Sequence, residues 1–249
     1  MMARTHAMSG TAVGVAVFST LSVPLPDVTV AGHGLPARLP LALGLGGMTT
    51  PYTAIMCLTL AATTLLPDWD TPSSRAATAL PPLTQAVSRV LARAGHRTLT
   101  HAPAGIILAA ALTTLASAPT VMLSGLLVRP GNGAVLMIVA AIGARALGAS
   151  SPLLLWGAGI VGLVSGATLP ATALWFMPAS VALGMWVHRA GDALTSRGVE
   201  NPLWPVIRHP RIRLPLLGDT GSSRESLLEF IMSLYAMAGI TSMVVSAWS

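Results

Sequence analysis

Long uncharged runs separated by short charged segments dominate the pattern of this chain. Each run lacks Asp, Glu, Lys, Arg and His, except that Glu229 interrupts the last: 7–26, 39–67, 102–128, 130–144, 146–187 and 226–249. A bilayer core of ~30 Å needs about 20 helical residues at a rise of ~1.5 Å each, so most of the runs are long enough to cross a membrane. The longest run has room for two crossings with a turn near Pro170, and the shortest must tilt or re-enter.

This pattern predicts an all-α fold, a polytopic helical membrane protein with about seven membrane segments. The expected segments lie near 8–23, 41–66, 103–128, 133–148, 152–166, 168–187 and 228–248. Together they form a single helical membrane domain over residues 1–249. Residues 1–31 also resemble a signal peptide, but Gly10 and Gly14 interrupt the apolar stretch, so we expect it to remain as the first segment.

Composition narrows the class of protein further. Hydrophobic residues make up 53% of the chain and charged residues 9%, and the mean hydropathy is +0.72. Because soluble domains carry ~25% charged residues, a soluble globular enzyme is excluded. The high apolar content excludes disorder, and the single cysteine, Cys57, excludes an intrachain disulfide. Aromatic residues make up only 4%, which leaves no stacking platform for nucleic acid.

The placement of the arginines predicts the orientation in the membrane. All 14 basic residues are arginines, and the segments 68–101 and 188–225 hold four and six of them. Because cytoplasmic loops carry an excess of basic residues, we expect both segments to be cytoplasmic loops. Seven segments with the N-terminus inside place both loops on that side, together with Arg145. Arg38 and Arg129 then lie outside.

Two carboxylates stand where a long apolar run reaches the predicted cytoplasmic side, in L-L-P-D-W-D at 65–70. Asp68 and Asp70 point to the same side of an extended or turning segment, and they repel each other unless a cation lies between them. A metal ion explains the pair at the lowest energetic cost. A solvated loop that ends a helix is the alternative for this motif taken alone.

Further side chains of the ligand type stand at the predicted cytoplasmic ends of other segments. His188 and Asp192 are four residues apart on one helical face, where an imidazole and a carboxylate can hold one divalent cation. His96 and His101 reach one site only from a loop or a helix start. His6 begins the first segment. Taken singly, these groups also fit an intrahelical pair or polar anchors at the membrane interface.

The convergence of these groups on one side of the membrane carries more weight than any single motif. It predicts one polar site from separate segments, with seven members: His6, Asp68, Asp70, His96, His101, His188 and Asp192. His33 falls in a predicted external loop and His209 in an arginine-rich stretch, so both are expected to be solvated.

These motifs, in this order, resemble the YdjM-like, LexA-regulated inner-membrane metal-dependent hydrolases. The matching stretches are T-H-A-M-S-G at 5–10, L-L-P-D-W-D at 65–70, H-R-T-L-T-H at 96–101 and H-R-A-G-D-A-L-T at 188–195. The family is distantly similar to zinc-dependent phospholipase C, which uses an H-x-x-x-D pair among its ligands. The resemblance implies a multi-pass location in the bacterial inner membrane and the same seven residues as the metal site. Thr98 and Arg189 depart from the family pattern.

We therefore expect a metal-dependent hydrolase that cleaves a phosphoester at the cytoplasmic face, with a divalent metal, zinc in first place, as cofactor. Asp70 is the candidate base or bridging ligand, and Arg97 is the candidate guanidinium for a phosphate oxygen or else a topology anchor. Because the site lies where the bilayer meets water, the expected substrate is a lipid or lipid-linked phosphate. Two alternatives stay open: a metal ion transporter, and a non-catalytic membrane protein with a structural polar cluster.

Overall fold

The computed structural model describes residues 1–24, 29–30, 33–34, 37–45, 50–170, 175–204, 206–207 and 209–248. Helix makes up 61% of the described residues and strand little, which confirms the predicted helical class. The helices in these ranges are α1 (Ala3–Phe18), α2 (Thr50–Thr63), α3 (Leu83–Leu91), α4 (Pro103–Ser117), α5 (Pro130–Ala146), α6 (Pro152–Ala167), α7 (Phe176–Ala193) and α8 (Ser223–Trp248). The expected segments 41–66 and 168–187 include 46–49 and 171–174, which lie outside the described residues.

Helix length supports one clear membrane crossing. Within the described ranges, only α8 is both long and apolar enough, over Ser223–Val245 with a mean hydropathy of 1.6. The apolar helices α4, α5 and α6 run for 15, 17 and 16 residues, which corresponds to ~22–26 Å. The expectation of seven spans is therefore not supported by helix length, because α1, α2 and α4 end before their uncharged runs do and α5 and α6 are short.

The run 102–128 illustrates this difference. Helix α4 ends at Ser117, and the rest of the run forms a hairpin of β5 (Val121–Leu123) and β6 (Leu126–Val128). Ser124 and Gly125 occupy its turn with φ angles of 50° and 84°, the positive values that tight hairpin turns require. The expected single segment over 103–128 is thus wrong in its second half.

Short two-stranded ladders also occur between α1 and α2. One pairs β1 (Ser22–Pro24) with β4 (Arg38–Pro40), and the other pairs β2 (Thr29–Val30) with β3 (His33–Gly34). All these ladders are antiparallel, and none extends into a larger sheet among the described residues.

Close backbone packing brings α1, α2 and α7 together. A Cβ atom at Gly10 of α1 would lie 2.6 Å from the carbonyl oxygen of Leu60 in α2. A Cβ atom at Gly184 of α7 would lie 2.1 Å from the hydroxyl oxygen of Thr63 in α2. Small residues that let helix backbones approach in this way are typical of membrane helix pairs. The start of α1, the end of α2 and the end of α7 consequently meet at one end of the bundle.

Gly162→Ala in α6 is expected to destabilise the packing of α6 on α5, because its Cβ atom would lie 2.4 Å from the carbonyl oxygen of Leu136. Overpacking of this kind costs about 1–3 kcal/mol. Gly157→Ala in the same helix is the matched control, since a Cβ atom there meets nothing within 4 Å. Alanine at position 157 is expected to stabilise the folded protein by about 0.5–1 kcal/mol, because it loses less backbone entropy than glycine in a helix. Thermal unfolding of the purified variants in detergent measures both, and equal melting temperatures would contradict this packing.

Candidate metal centre

The C-terminal part of α7 carries two ligands of the centre, His188 and Asp192. Both are buried, with 0% and 1% of their surface exposed. His6 of α1 stacks on His188 with the ring centroids 3.7 Å apart, and its Nε2 lies 3.3 Å from Asp192 Oδ1. The backbone nitrogen of Met1 lies 2.7 Å from the same oxygen. A Cβ atom at Gly191 would lie 2.4 Å from the Met1 sulfur, so this glycine gives α1 room to approach.

Two short 3-10 turns supply the remaining candidate ligands at this end of the bundle. The turn Pro67–Asp70 follows α2 and carries both of its aspartates. The turn Leu99–His101 directly precedes α4, so His101 lies at a helix start, one of the two placements that the sequence allows. Its ring packs edge to face against that of His188, with the centroids 4.9 Å apart.

Four ligand atoms face one another between these elements. His101 Nε2 and His188 Nε2 are 3.1 Å apart. Asp68 Oδ1 lies 3.9 and 3.8 Å from these two nitrogens, and Asp192 Oδ2 lies 3.8 and 3.6 Å from them. Adjacent ligands of a tetrahedral site with bonds of ~2.1 Å are ~3.4 Å apart, and each of these separations is within ~0.5 Å of that value. The described residues hold two overlapping groups positioned to bind a metal ion: His6, His188 and Asp192, and Asp68, His101 and His188.

Hydrogen bonds on the outer ring nitrogens orient both central histidines. His188 Nδ1 donates to the carbonyl oxygen of Thr64 at 2.7 Å. The Thr100 hydroxyl donates to Asp70 Oδ2 at 2.7 Å, so it accepts from His101 Nδ1 at 3.0 Å. When both rings are neutral, these contacts direct the two Nε2 lone pairs inward. Inward lone pairs and carboxylate oxygens repel one another, which makes this arrangement one that a cation stabilises.

Asp70 lies behind His101 and outside the four facing atoms. Its Oδ1 accepts from His96 Nδ1 at 2.8 Å, and its Oδ2 accepts from the backbone N–H of Arg97 at 3.0 Å. Burial raises the pKa of Asp70, but its interactions with His101 and His96 outweigh burial and hold the pKa below its usual range. Asp70 is therefore an ionised carboxylate that orients two histidine rings.

His96 is the outermost member of the cluster. Half of its side chain is exposed, and its ring centroid lies 5.7 Å from that of His101. The hydrogen bond to Asp70 is the main cause of its raised pKa, with burial acting in the opposite direction. Burial lowers the pKa of His101, which favours the neutral form that metal binding needs. The structure thus groups His96 with Asp70, whereas His101 contacts the α7 ligands.

Arg97 closes one side of the centre. Its Nη2 lies 2.9 Å from Asp192 Oδ2, and its Nη1 donates to the carbonyl oxygen of Gly198 at 3.1 Å. Its φ of 63° is left-handed, and in this conformation its backbone N–H reaches Asp70 while its side chain reaches Asp192. Its buried Nε has no hydrogen-bond partner among the described residues.

Sequence reasoning missed several groups that hold the ligands in place, chiefly Thr64, Thr100 and Arg189. The buried Arg189 donates from Nη1 to the carbonyl oxygen of His101 and from Nη2 to that of Glu200, the second at 2.8 Å. It thereby ties the turn before α4 to the segment after α7. The position of Arg189, directly after a candidate ligand in an apolar helix, was a sequence signal that could have identified it. The contacts of Thr64 with His188 and of Thr100 with Asp70 join residues far apart in the chain and leave no such signal.

The fold and this centre define a class: a helical protein with buried histidine and aspartate groups positioned to bind a metal ion. The YdjM inner membrane protein family matches residues 1–248, and the chain belongs to that family. The match covers every residue of the centre and confirms the family resemblance. A search of curated proteins and a search of solved structures each returned no match. These comparisons do not extend the resemblance to zinc-dependent phospholipase C.

Purified protein is expected to bind one equivalent of a divalent metal through the four facing atoms, and His188→Ala is expected to abolish that binding. Thr100→Val keeps the shape of the side chain but removes the hydroxyl that holds His101, and it is expected to weaken affinity ~10–100-fold. Titration with zinc followed by elemental analysis measures both variants. His209→Ala, at an exposed position away from the cluster, is the control.

Equal metal content in His188→Ala and His209→Ala would show that any bound metal lies elsewhere. A wild-type protein that unfolds cooperatively yet takes up no divalent metal would contradict the centre altogether.

Proposed function

We propose that this inner-membrane protein is a metal-dependent hydrolase that cleaves a phosphoester of a lipid or lipid-linked phosphate at the cytoplasmic face. The observation that carries the proposal is the convergence of two imidazole nitrogens and two carboxylate oxygens beside Arg97. Imidazole and carboxylate are the ligands of many catalytic zinc sites, so zinc is the metal that we propose. A guanidinium matches the geometry of phosphate oxygens.

The exposure of the side chains supports access for a substrate. Four members are at most 1% exposed: His6, His101, His188 and Asp192. The Asp68 side chain is 27% exposed and that of His96 is 50% exposed. Catalytic zinc sites have three protein ligands and keep a fourth coordination position for water or substrate, and each of the two three-residue groups would leave such a position. The exposed edge at Asp68 and His96 gives a substrate access to it.

The residues divide into three proposed roles. A divalent cation supplies Lewis acidity when bound, since it polarises a phosphoryl oxygen and favours the ionisation of water. Arg97 binds a further phosphate oxygen through its guanidinium, whose Nε lacks a partner in the described part of the chain. Asp70 holds His96 through Nδ1, which leaves Nε2 to transfer a proton to the leaving oxygen.

Exposed apolar surface supports a multi-pass arrangement despite the short helices. Ile107 and Leu115 of α4 are each 69% exposed, Leu153 of α6 is 81% exposed, and Phe230 of α8 is 60% exposed. Soluble proteins rarely expose contiguous apolar surface of this kind. We therefore propose that α4, α6 and α8 contact lipid, the shorter helices with local thinning of the bilayer. The arginine-rich loops 68–101 and 188–225 then lie on the cytoplasmic side.

Cysteine labelling tests this orientation. Ser73→Cys and Thr220→Cys lie in the two arginine-rich loops, and Thr120→Cys lies between α4 and β5, at the opposite end of α4 from the centre. All three positions are exposed, whereas the native Cys57 is fully buried. A membrane-impermeant maleimide is expected to label Thr120→Cys in intact cells and the other two only after permeabilisation. Labelling of Ser73→Cys and Thr220→Cys in intact cells would reverse the orientation.

Substitutions in the centre test the proposed reaction. Asp192→Asn is expected to abolish the turnover of bis(p-nitrophenyl) phosphate or a phosphatidic acid, because it removes a charged ligand of the proposed metal ion. Arg97→Lys keeps the charge but loses the planar fork, so a smaller decrease in kcat/KM is expected. His209→Ala again serves as the control.

The outcomes separate the proposal from its alternatives. A zinc-loaded wild-type protein that turns over neither diesters nor monoesters would contradict the hydrolase and leave the metal centre standing. A fully folded protein without metal would favour a structural polar network instead.

A further inference from the structure

An apolar cavity of about 290 Å³ lies beside the metal centre, between α3, α4, α5 and α7. The segments that carry the ligands also form its wall: Trp69 comes from the first 3-10 turn, Thr100 from the second, and Met185 from α7 one turn before a ligand. Thr100 separates the cavity from the centre, because its hydroxyl contacts Asp70 Oδ2 at 2.7 Å and His101 Nδ1 at 3.0 Å. The cavity and the centre therefore share a wall one side chain thick.

The lining offers no unpaired polar side chain. Its polar side chains are Thr100, Thr113 and the indole of Trp69. The first is held by the centre, and the Thr113 hydroxyl donates to the carbonyl oxygen of Ala109 at 2.8 Å. The indole N–H of Trp69 donates to the carbonyl oxygen of Thr84 at 2.8 Å. A cavity of this kind does not hold ordered water and favours a hydrocarbon occupant.

One edge of the cavity reaches the outer surface of α4. Leu108 and Leu112 line the cavity and are 48% and 56% exposed. They lie one helical turn apart, and Leu115 continues the same face at 69% exposure. The opposite edge is deep, since Val181 and Met185 of α7 are each 3% exposed. The cavity therefore opens past α4 and ends against α7.

We propose that this cavity binds one hydrocarbon tail of a membrane lipid phosphate and so presents its headgroup to the metal centre. Pockets that enclose a whole small ligand measure about 300–1,000 Å³, so this smaller cavity suits part of a single tail. The α4 surface at its entrance is the one that we propose contacts lipid. Hydrolysis at the headgroup rests on the proposed hydrolase function, whereas binding of the tail does not require turnover.

Photo-crosslinking in a bilayer tests the binding of the tail. The probe is phosphatidic acid with a diazirine at the end of one acyl chain, in phosphatidylcholine nanodiscs that contain the full-length protein. Adducts mapped by mass spectrometry are expected on Val181 or Met185, which are too deeply buried to contact bulk lipid. Unlabelled dioleoyl phosphatidic acid is expected to reduce these adducts, whereas inorganic phosphate is not. A parallel arm with a diazirine polyprenyl phosphate distinguishes an isoprenoid tail from an acyl tail.

A matched pair of variants on α4 tests the location. Ala109→Phe places a ring in the cavity that Ala109 lines. It is expected to lower the adducts on Val181 and Met185, the deep adducts, at least ~10-fold, because the close-packed cavity has no room for both the ring and the lipid tail. Ala111→Phe adds the same ring to an exposed position of the same helix and is expected to change nothing. Wild-type competition with unlabelled lipid stays informative even if Ala109→Phe unfolds.

The experiment separates this proposal from the hydrolase. Asp192→Asn is expected to retain the deep adducts, because it changes the centre and not the cavity. Deep adducts in a protein without phosphoester turnover would support the tail site and contradict the hydrolase. Absence of deep adducts with both probes, or adducts equal in Ala109→Phe and Ala111→Phe, would overturn the tail site.

Discussion

Repulsion between inward-facing acceptor atoms is the constraint on which the rest of this structure depends. His101 and His188 direct their Nε2 atoms at each other from 3.1 Å, and oxygens of Asp68 and Asp192 lie within 3.9 Å of them. Burying such groups costs several kcal/mol per charge unless partners compensate. Asp70, one layer out, is compensated by hydrogen bonds from its neighbours. Asp192 is also approached by the Met1 nitrogen at 2.7 Å and by Arg97 Nη2 at 2.9 Å, so a cation would chiefly offset the repulsion between Asp68 Oδ1 and the two facing Nε2 atoms.

The same end of the bundle is built so that these atoms cannot move apart. Gly184 of α7 packs directly on Thr63 of α2, and this contact brings the carbonyl oxygen of Thr64 within 2.7 Å of His188 Nδ1. Gly191 admits the start of α1 in a comparable way. Close packing of backbones fixes ring positions more firmly than long side chains would. The centre is therefore preorganised by helix contacts, and its ligands pay little conformational entropy on binding a metal.

Residue type and spacing made the helical class predictable and singled out side chains that the structure brings together, and they failed where geometry depends on contacts between distant segments. The α7 pair is visible because residues four apart share a helical face, and the helix start at Pro103 is visible from proline itself. The extent of the helices was not visible, because an uncharged run such as 102–128 also accommodates a hairpin with Ser124 in its turn. The position of Asp70 behind the ligands was likewise hidden. Nothing in a D-x-D motif tells which carboxylate faces the metal and which faces the histidines.

The position of the centre in the bundle bears on what it can do. Transport sites lie near the middle of the membrane, where broken helices give access from each side in turn. Here the ligands lie at helix ends, and the Gly184–Thr63 contact closes the packing one turn from His188. Exposure within the cluster rises toward Asp68 and His96, while the neighbouring cavity is apolar. A centre that is exposed at Asp68 and His96 and bordered by an apolar cavity on another side fits the proposed reaction on an amphipathic molecule.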